Sequence, residues 1–173
     1  MKNFARITSL AATAAAVALA ATPAQAANPD KNATATARVV KPLVLNWVQD
    51  LDLGTIVLSG AGAWSGASVG ISRGGAFSCA NSNVTCSGLR QEARYKVFGT
   101  NNQSVTVSAP NVTLVNQNDN TKSLQLTVDN PGTLLLGNSG AAGLEFGLGG
   151  SISVDSTTTD GTYFGTFNVT VNY

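Results

Sequence analysis

Alternation of apolar and polar residues is the main structural signal in this sequence, and it is clearest at the C-terminal end. The apolar positions of residues 161–173 share one parity with Gly165: Tyr163, Phe167, Val169, Val171 and Tyr173. The other parity is threonine and asparagine apart from Phe164. A period of two predicts a β-strand with one buried face. Because unpaired termini fray, such a final strand suggests a subunit whose last strand is handled by a partner, for example an assembly chaperone.

The same alternation predicts strands over most of the chain, separated by turns rich in glycine, asparagine and proline. Predicted strands include residues 33–39, 43–48, 51–58, 93–97, 105–107, 112–114, 124–128 and 144–154. Gly149 and Gly150, inside the longest of them, predict a bulge or a point of close backbone approach. Many short strands with such turns predict an all-β chain, a single antiparallel β-sandwich.

The N-terminus has the features of a secretory signal peptide. Lys2 and Arg6 precede an apolar stretch at residues 10–21, and residues 24–26 form a small-x-small cleavage site. The stretch is short for a membrane span, although a retained anchor is the alternative. We therefore expect residues 1–26 to be a signal peptide and residues 27–173 to form one secreted domain, without a membrane span after cleavage.

The net charge and the fraction of charged residues exclude some classes of binding partner. The chain has 10 basic and 9 acidic residues, so loss of Lys2 and Arg6 leaves the mature domain at about −1. That balance gives no electrostatic footprint for nucleic acid or an anionic membrane. Charged residues make up 11% of the chain, which is low for a disordered segment.

Cys79 and Cys86 are the only two cysteines. In an oxidising compartment, the default expectation for such a pair is a disulfide. A redox pair would favour C-x-x-C beside a helix, and a zinc site would need more cysteine or histidine ligands. We therefore predict a structural bridge.

Catalysis has little support in the sequence. The chain has no histidine, which excludes a Ser-His-Asp or Cys-His arrangement. Asp50 and Asp52 would share one side of a strand and could approach a hard cation, but no loop resembles a calcium site, so a turn or edge role is favoured. Glu92 and Glu145 are too isolated to define a glycosidase pair. We predict no enzyme activity, no cofactor and no metal site.

Two tryptophans are candidate ligand platforms. Trp47 lies in a predicted strand, so we expect it in the core. Trp64 lies in a glycine-rich segment and is the candidate for a ligand-binding residue, with packing as the alternative.

Three sequence blocks, at residues 51–56, 142–150 and 161–173, resemble the bacterial domain-of-unknown-function 4402 family. That family is similar to spore coat protein U domains and, more distantly, to chaperone–usher pilins. The resemblance implies an immunoglobulin-like or pilin-like sandwich. The cysteine pair departs from the family pattern.

The pilin resemblance implies assembly by strand addition, in which a neighbour's strand completes a subunit. Residues 31–40 resemble the donor segment of colonisation-factor pilins, and residues 27–41 are a possible donor strand. Its groove-filling side chains would be Ala33, Ala35, Ala37 and Val39. The alternative is that this segment is the first strand of a self-contained sandwich, because both arrangements use the same alternation.

Two functions follow as expectations. The first is a secreted structural subunit of a pilus-like surface fibre or coat, with like subunits, a periplasmic chaperone and an outer-membrane usher as partners. It would be secreted through the periplasm to the cell surface or the extracellular space. The second is a self-contained secreted or periplasmic binding module, such as a carbohydrate-binding adhesin.

Overall fold

The computed structural model describes residues 31–60, 62–138 and 142–173. The predicted signal peptide, residues 1–26, lies outside the described residues. Residues 38–173 form one compact unit. The other unit comprises residues 1–37, of which the described part, residues 31–37, is exposed and carries no strand.

The described part of the larger unit contains thirteen strands, most of them short. In chain order they are β1 (Val44–Gln49), β2 (Thr55–Leu58), β3 (Ala67–Ile71), β4 (Phe77–Ser78), β5 (Val84–Ser87), β6 (Ala93–Phe98), β7 (Ser104–Ser108), β8 (Val112–Asn116), β9 (Ser123–Asp129), β10 (Thr133–Leu135), β11 (Leu144–Val154), β12 (Tyr163–Phe164) and β13 (Thr170–Asn172). Every ladder between them is antiparallel. The predicted all-β antiparallel fold is confirmed.

The strands form one large sheet and two small ones. The large sheet runs β1-β6-β11-β9-β8-β12, and β3 pairs with the second half of β11 and with β4. A second sheet runs β10-β7-β13, and a third consists of β2 and β5. The arrangement is a curled, sandwich-like fold.

One hydrophobic core joins the sheets, and the predicted alternation places its side chains. Each contributing strand buries residues of one parity. The buried members include Val97 of β6, Val105 and Val107 of β7, Leu126 of β9, and Leu148 and Ile152 of β11. Burial of these apolar side chains contributes roughly 25 cal/mol per Å².

The glycines of β11 mark a close backbone approach. A Cβ atom added at Gly147 or Gly149 would clash with the carbonyl oxygens of Arg73 and Ile71, at the end of β3. β11 pairs with β6 and with β9 without a register shift, so close approach is confirmed here and the bulge is not found.

Candidate functional site

An open groove runs along the inner face of the large sheet, where the second layer of the sandwich has a gap. Its volume is about 1060 Å³. One wall is the segment 50–58, which includes β2, and the other is the segment 158–167, which includes β12. The floor consists of apolar side chains of four strands, among them Ala93, Leu124, Leu126, Ile152 and Val154.

Both walls carry strand edges without a ladder partner in the described chain. β2 is paired on one edge only, to β5. In the opposite wall, β12 pairs with the end of β8, and residues 165–169 after it belong to no ladder. Unpaired N–H and C=O groups along two edges offer a template for an added strand.

The first wall is fixed by a turn built on Asp52. Its carboxylate accepts a hydrogen bond from the N–H of Gly54 at 2.8 Å, and its backbone forms an isolated bridge with Gln91. Gly54 has a φ of 75°, and a Cβ there would lie 2.5 Å from the carbonyl oxygen of Ser87. Only glycine fits such a position without strain, so this turn brings β2 against β5. The predicted turn role of the aspartates agrees with this geometry for Asp52.

The second wall begins with a hydrogen-bonded turn. Hydrogen bonds from Thr157, and then from Thr158, lower the pKa of Asp155. The buried Asn116 donates from its side chain to the carbonyl oxygen of Asp160 at 2.9 Å. The Tyr163 hydroxyl donates to the Thr159 carbonyl oxygen at 2.7 Å. The bond from Asn116 holds the wall against the end of β8, and the others stabilise the turn within the wall.

The C-terminal segment differs from the single strand that its alternation predicts. Tyr163, Phe167, Val169 and Val171 are all half-buried on one parity, so the predicted face is correct. The ladder, however, is broken: β12 pairs with β8, β13 pairs with β7, and the residues between them pair with neither. The cause is that this segment crosses from one sheet to the other.

The last residue, Tyr173, ties the two ends of the domain together. Its ring is exposed, but its hydroxyl donates to the Lys41 carbonyl oxygen at 2.6 Å and accepts from the Thr100 N–H at 2.9 Å. Lys41 in turn donates its N–H to the Thr100 hydroxyl at 2.6 Å. The start of the folded domain is therefore anchored beside the end of β6.

The predicted N-terminal strand is not formed. Residues 31–43 belong to no ladder in the described chain, and Ala33, Ala35, Ala37 and Val39 are exposed, Val39 by 90%. The expectation of a strand over residues 33–39 within this chain is therefore wrong. Its alternation offers only alanine methyl groups and one valine to bury, which is little apolar area to offset the entropy of ordering.

The exposures of the two tryptophans are the reverse of those that the sequence predicts. Trp47 is 60% exposed, although it lies in β1, while Trp64 is half-buried. Trp47 stands at the edge of the large sheet opposite Tyr95, where the second layer does not cover it. The Trp64 indole N–H donates to the Ser59 carbonyl oxygen at 3.4 Å. Alternation predicts the side of a strand but not whether another layer covers it.

The aromatic residue beside Trp47 marks one end of the groove. Tyr95 lines the groove and stacks on Phe146 with ring centroids 5.9 Å apart. Burial, and then the negative charge of Asp50, raise the pKa of Tyr95. The Asp50 carboxylate also accepts the indole N–H of Trp47 at 2.9 Å. Sequence reasoning missed this cluster because Trp47, Asp50 and Tyr95 meet only through the β1–β6 pairing.

Cys79 and Cys86 form the predicted disulfide. The bridge closes the turn between β4 and β5, and β5 supports β2, the first wall of the groove. The disulfide therefore stabilises the first wall of the groove through β5.

A charged cluster on the other side of the sheet joins residues that the sequence keeps apart. Arg94 bonds the Glu92 carboxylate at 2.6 and 2.8 Å and that of Glu145 at 3.0 Å. Glu92 is only 5% exposed. A hydrogen bond from its own backbone N–H, followed by Arg94, lowers its pKa against the opposing effect of burial. The guanidinium separates the two carboxylates, so the cluster is structural.

Two negative findings concern the described residues alone. Among residues 31–60, 62–138 and 142–173, no group of three or more acidic or cysteine side chains could hold a metal ion. Within the same ranges, no helix has the length and apolar character needed to cross a membrane.

Comparison with known proteins gives one positive result, a match to a family model. No curated protein and no solved structure matches the chain. The family model of the domain of unknown function DUF4402 matches residues 43–173, which is well over half of the sequence. It covers every strand from β1 to β13, including both walls of the groove. The chain therefore belongs to the DUF4402 family.

Proposed function

We propose that this chain is an exported structural subunit of a bacterial surface fibre or coat, joined to like subunits by β-strand addition. The observation that carries the proposal is the groove: an apolar floor lies between two walls whose strand edges have no ladder partner in the described chain. A strand laid between them would bond on both sides, at about 0.5–1.5 kcal/mol net for each hydrogen bond. Its inward side chains would cover the lining residues that are still half-buried, among them Leu114 and Leu124.

The proposed donor is the N-terminal segment of a neighbouring copy. Residues 31–40 are exposed and unpaired, and Ala33, Ala35, Ala37 and Val39 share one face. Small side chains suit a groove that is already floored by leucine, isoleucine and valine. Most of the binding free energy would come from the two hydrogen-bond ladders.

The distance between Lys41 and the groove favours donation of the N-terminal segment to another copy rather than to its own chain. Lys41 is held beside Thr100, which lies two residues past the end of β6 and five residues after Tyr95 at the near end of the groove. Five strand residues span about 16 Å. Val39 lies two residues before Lys41 and can stand at most about 7 Å from it. Ala37, four residues before Lys41, can stand at most about 14 Å from it, so Ala37 and Val39 both fall short of the groove of their own chain. The whole run therefore cannot fill that groove, whereas a second molecule has no such restriction.

Export and assembly complete the proposal. The predicted signal peptide would deliver the mature chain to the periplasm, and a periplasmic chaperone and outer-membrane usher would carry it to the cell surface. We propose the C-terminal segment, residues 163–173, as the strand that the chaperone engages, because its unpaired stretch borders the empty groove.

Matched substitutions in the donor test this function. In the full mature chain, Ala35→Gln puts a long polar side chain on the inward face, whereas Thr36→Gln puts it on the outward face. We expect heat-labile, SDS-resistant multimers from the parent chain and from Thr36→Gln, and monomers from Ala35→Gln, by size exclusion and unheated gels. Circular dichroism should show the same fold in all three. Equal assembly of the two variants, or no multimers of the parent, would refute strand addition through this segment.

A carbohydrate-binding module is the second candidate, and one observation favours it. Trp47 presents an exposed indole beside Tyr95, with Asp50 fixing its ring nitrogen. Aromatic faces of this kind can stack on sugars. The platform that the sequence assigns to Trp64 would thus be Trp47. A glycan panel should quench the fluorescence of a stable monomer, and Trp47→Ala should remove the quenching while Trp64→Ala retains it. Absence of quenching across the panel would count against this candidate.

A further inference from the structure

The groove is acidic at both ends. The described residues that line it include Asp50, Asp52 and Asp160, all exposed, and among them there is no lysine or arginine. None of the ion pairs between described residues involves these three aspartates. The groove therefore has a charge pattern as well as an apolar floor.

The positions of these aspartates follow from the strand register. Asp50 accepts the indole N–H of Trp47, which pairs with Tyr95, and Tyr95 pairs in turn with Phe146 near the start of β11. Asp160 lies at the other end, because its carbonyl oxygen accepts from Asn116 beside the β8–β9 turn. That turn is level with the end of β11 near Val154, since β9 pairs with β11 in antiparallel register. From Phe146 to Val154 the strand spans about 26 Å.

The N-terminal segment carries the opposite charge. Residues 31–41 contain Lys31, Arg38 and Lys41 and no acidic residue. Lys31 and Arg38 are separated by about 23 Å in an extended chain, which matches the length of the groove. Asp30 directly precedes Lys31 and weakens the charge contrast there, so Arg38 is the more discriminating cation.

The covered end of the groove sets the direction of the donor. Past Tyr95, the β10-β7-β13 sheet closes the inner face: a Cβ on Gly99 would lie 2.8 Å from the side chains of Leu136 and Leu43. No residue of that sheet lines the groove. The body of a donating copy follows the C-terminal end of its donor segment, so it has room only at the far end. Arg38 then lies near Asp160, and the donor runs antiparallel to residues 163–167.

We propose that the groove recognises residues 31–40 of a second copy by charge at both ends, with Arg38 of one copy pairing with Asp160 of the next and Lys31 with Asp50. The pairs fix the register and direction of a strand whose alanines alone would allow slippage, because alternate registers of a uniform alanine row bury nearly the same area. This inference rests on the proposed strand addition and specifies how it is directed.

Charge reversal in the full mature chain tests the pairing. Arg38→Asp and Asp160→Lys should each weaken assembly about tenfold, since each replaces attraction by repulsion. The double variant should recover most of that loss. Ser153→Lys is the matched control: it adds a lysine at the same end of β11 but on the outer face, and should leave assembly unchanged. Asp160 bonds Asn116 only through its carbonyl oxygen, so its substitution spares that contact.

The outcomes separate this inference from the function on which it rests. Recovery in the double variant supports the Arg38–Asp160 pair. If both single variants assemble like the parent while Ala35→Gln remains monomeric, the charge pairing is refuted and strand addition stands. If the double variant stays as weak as the singles, the assigned direction is refuted. If Ala35→Gln assembles normally, both proposals fail.

Discussion

Removal of the Cys79–Cys86 disulfide should lower the free energy of unfolding of the domain by an amount that follows from the length of the loop it closes. The two cysteines are seven residues apart, so the bridge closes a loop of eight residues. In the chain-entropy model, closing such a loop removes conformational entropy from the unfolded state and destabilises that state by roughly 2.5 kcal/mol. The native turn also has backbone bonds of its own, from Val84 to Asn81 and from Ser59 to Asn83. Because these remain when the bridge is lost, the predicted effect is close to the entropic value.

The assay is urea unfolding of the oxidised mature chain against a Cys79→Ser/Cys86→Ser double variant. A loss of about 2.5 kcal/mol, at a slope of about 2 kcal/mol per M, lowers the midpoint by about 1 M. A reductant should shift the parent chain to the same midpoint and leave the double variant unchanged. Amide exchange should also become faster at Ile56 and Leu58, in the wall that β5 supports. A midpoint change below about 0.2 M would refute the entropic account.

Three further predictions concern single positions. Gly149→Ala should lose at least about 2 kcal/mol of unfolding free energy, because its methyl group overlaps the β3 backbone, whereas Gly137→Ala, which faces open space, should stay near the parent value in the same urea titration. The lowered pKa of Glu92 means that its stabilisation is fully present above its ordinary value of 4.5 and is lost as the pH falls through the lower folded value. Glu92→Gln should therefore flatten the stability profile below pH 4.5, and an unchanged acid profile would contradict this. Tyr173→Phe should cost about 1–2 kcal/mol through its two hydrogen bonds and speed exchange of the Thr100 amide, and an unchanged exchange rate would argue against the anchor.

Alternation in the sequence predicts the faces of the strands well because that property is local. The inward residues of β6, β7, β9 and β11 are those whose parity the sequence indicates, such as Val97, Val107 and Leu148. The glycine pair of β11 likewise predicts a close backbone approach. Such predictions need only the two-residue repeat of an extended chain.

Which strands pair, and which side chains a second layer covers, depend on residues far apart in the sequence. Alternation therefore does not predict them. Trp47 lies on a regular strand and Trp64 in a glycine-rich segment, yet Trp47 is the exposed one, because β1 is an edge strand beyond the reach of the second layer. The groove itself has no signature in any one segment. Asp50 and Asp160 lie 110 positions apart in the sequence, and only the register of β6, β11, β9 and β8 puts them at two ends of one floor.

The distribution of burial within the core supports a missing strand over an alternative in which the groove is ordinary surface relief. Under the β10-β7-β13 sheet, Val97, Val105 and Leu136 are fully buried. In the groove, Leu126, Ile152 and Val154 are also buried, but the inward residues Leu114 and Leu124 are only half-buried. Covering these two leucines with a further strand would be favourable by roughly 25 cal/mol for each Å² of apolar surface that is buried. Leucines at half-covered inward positions, between two unpaired strand edges, therefore favour a floor that a further strand completes.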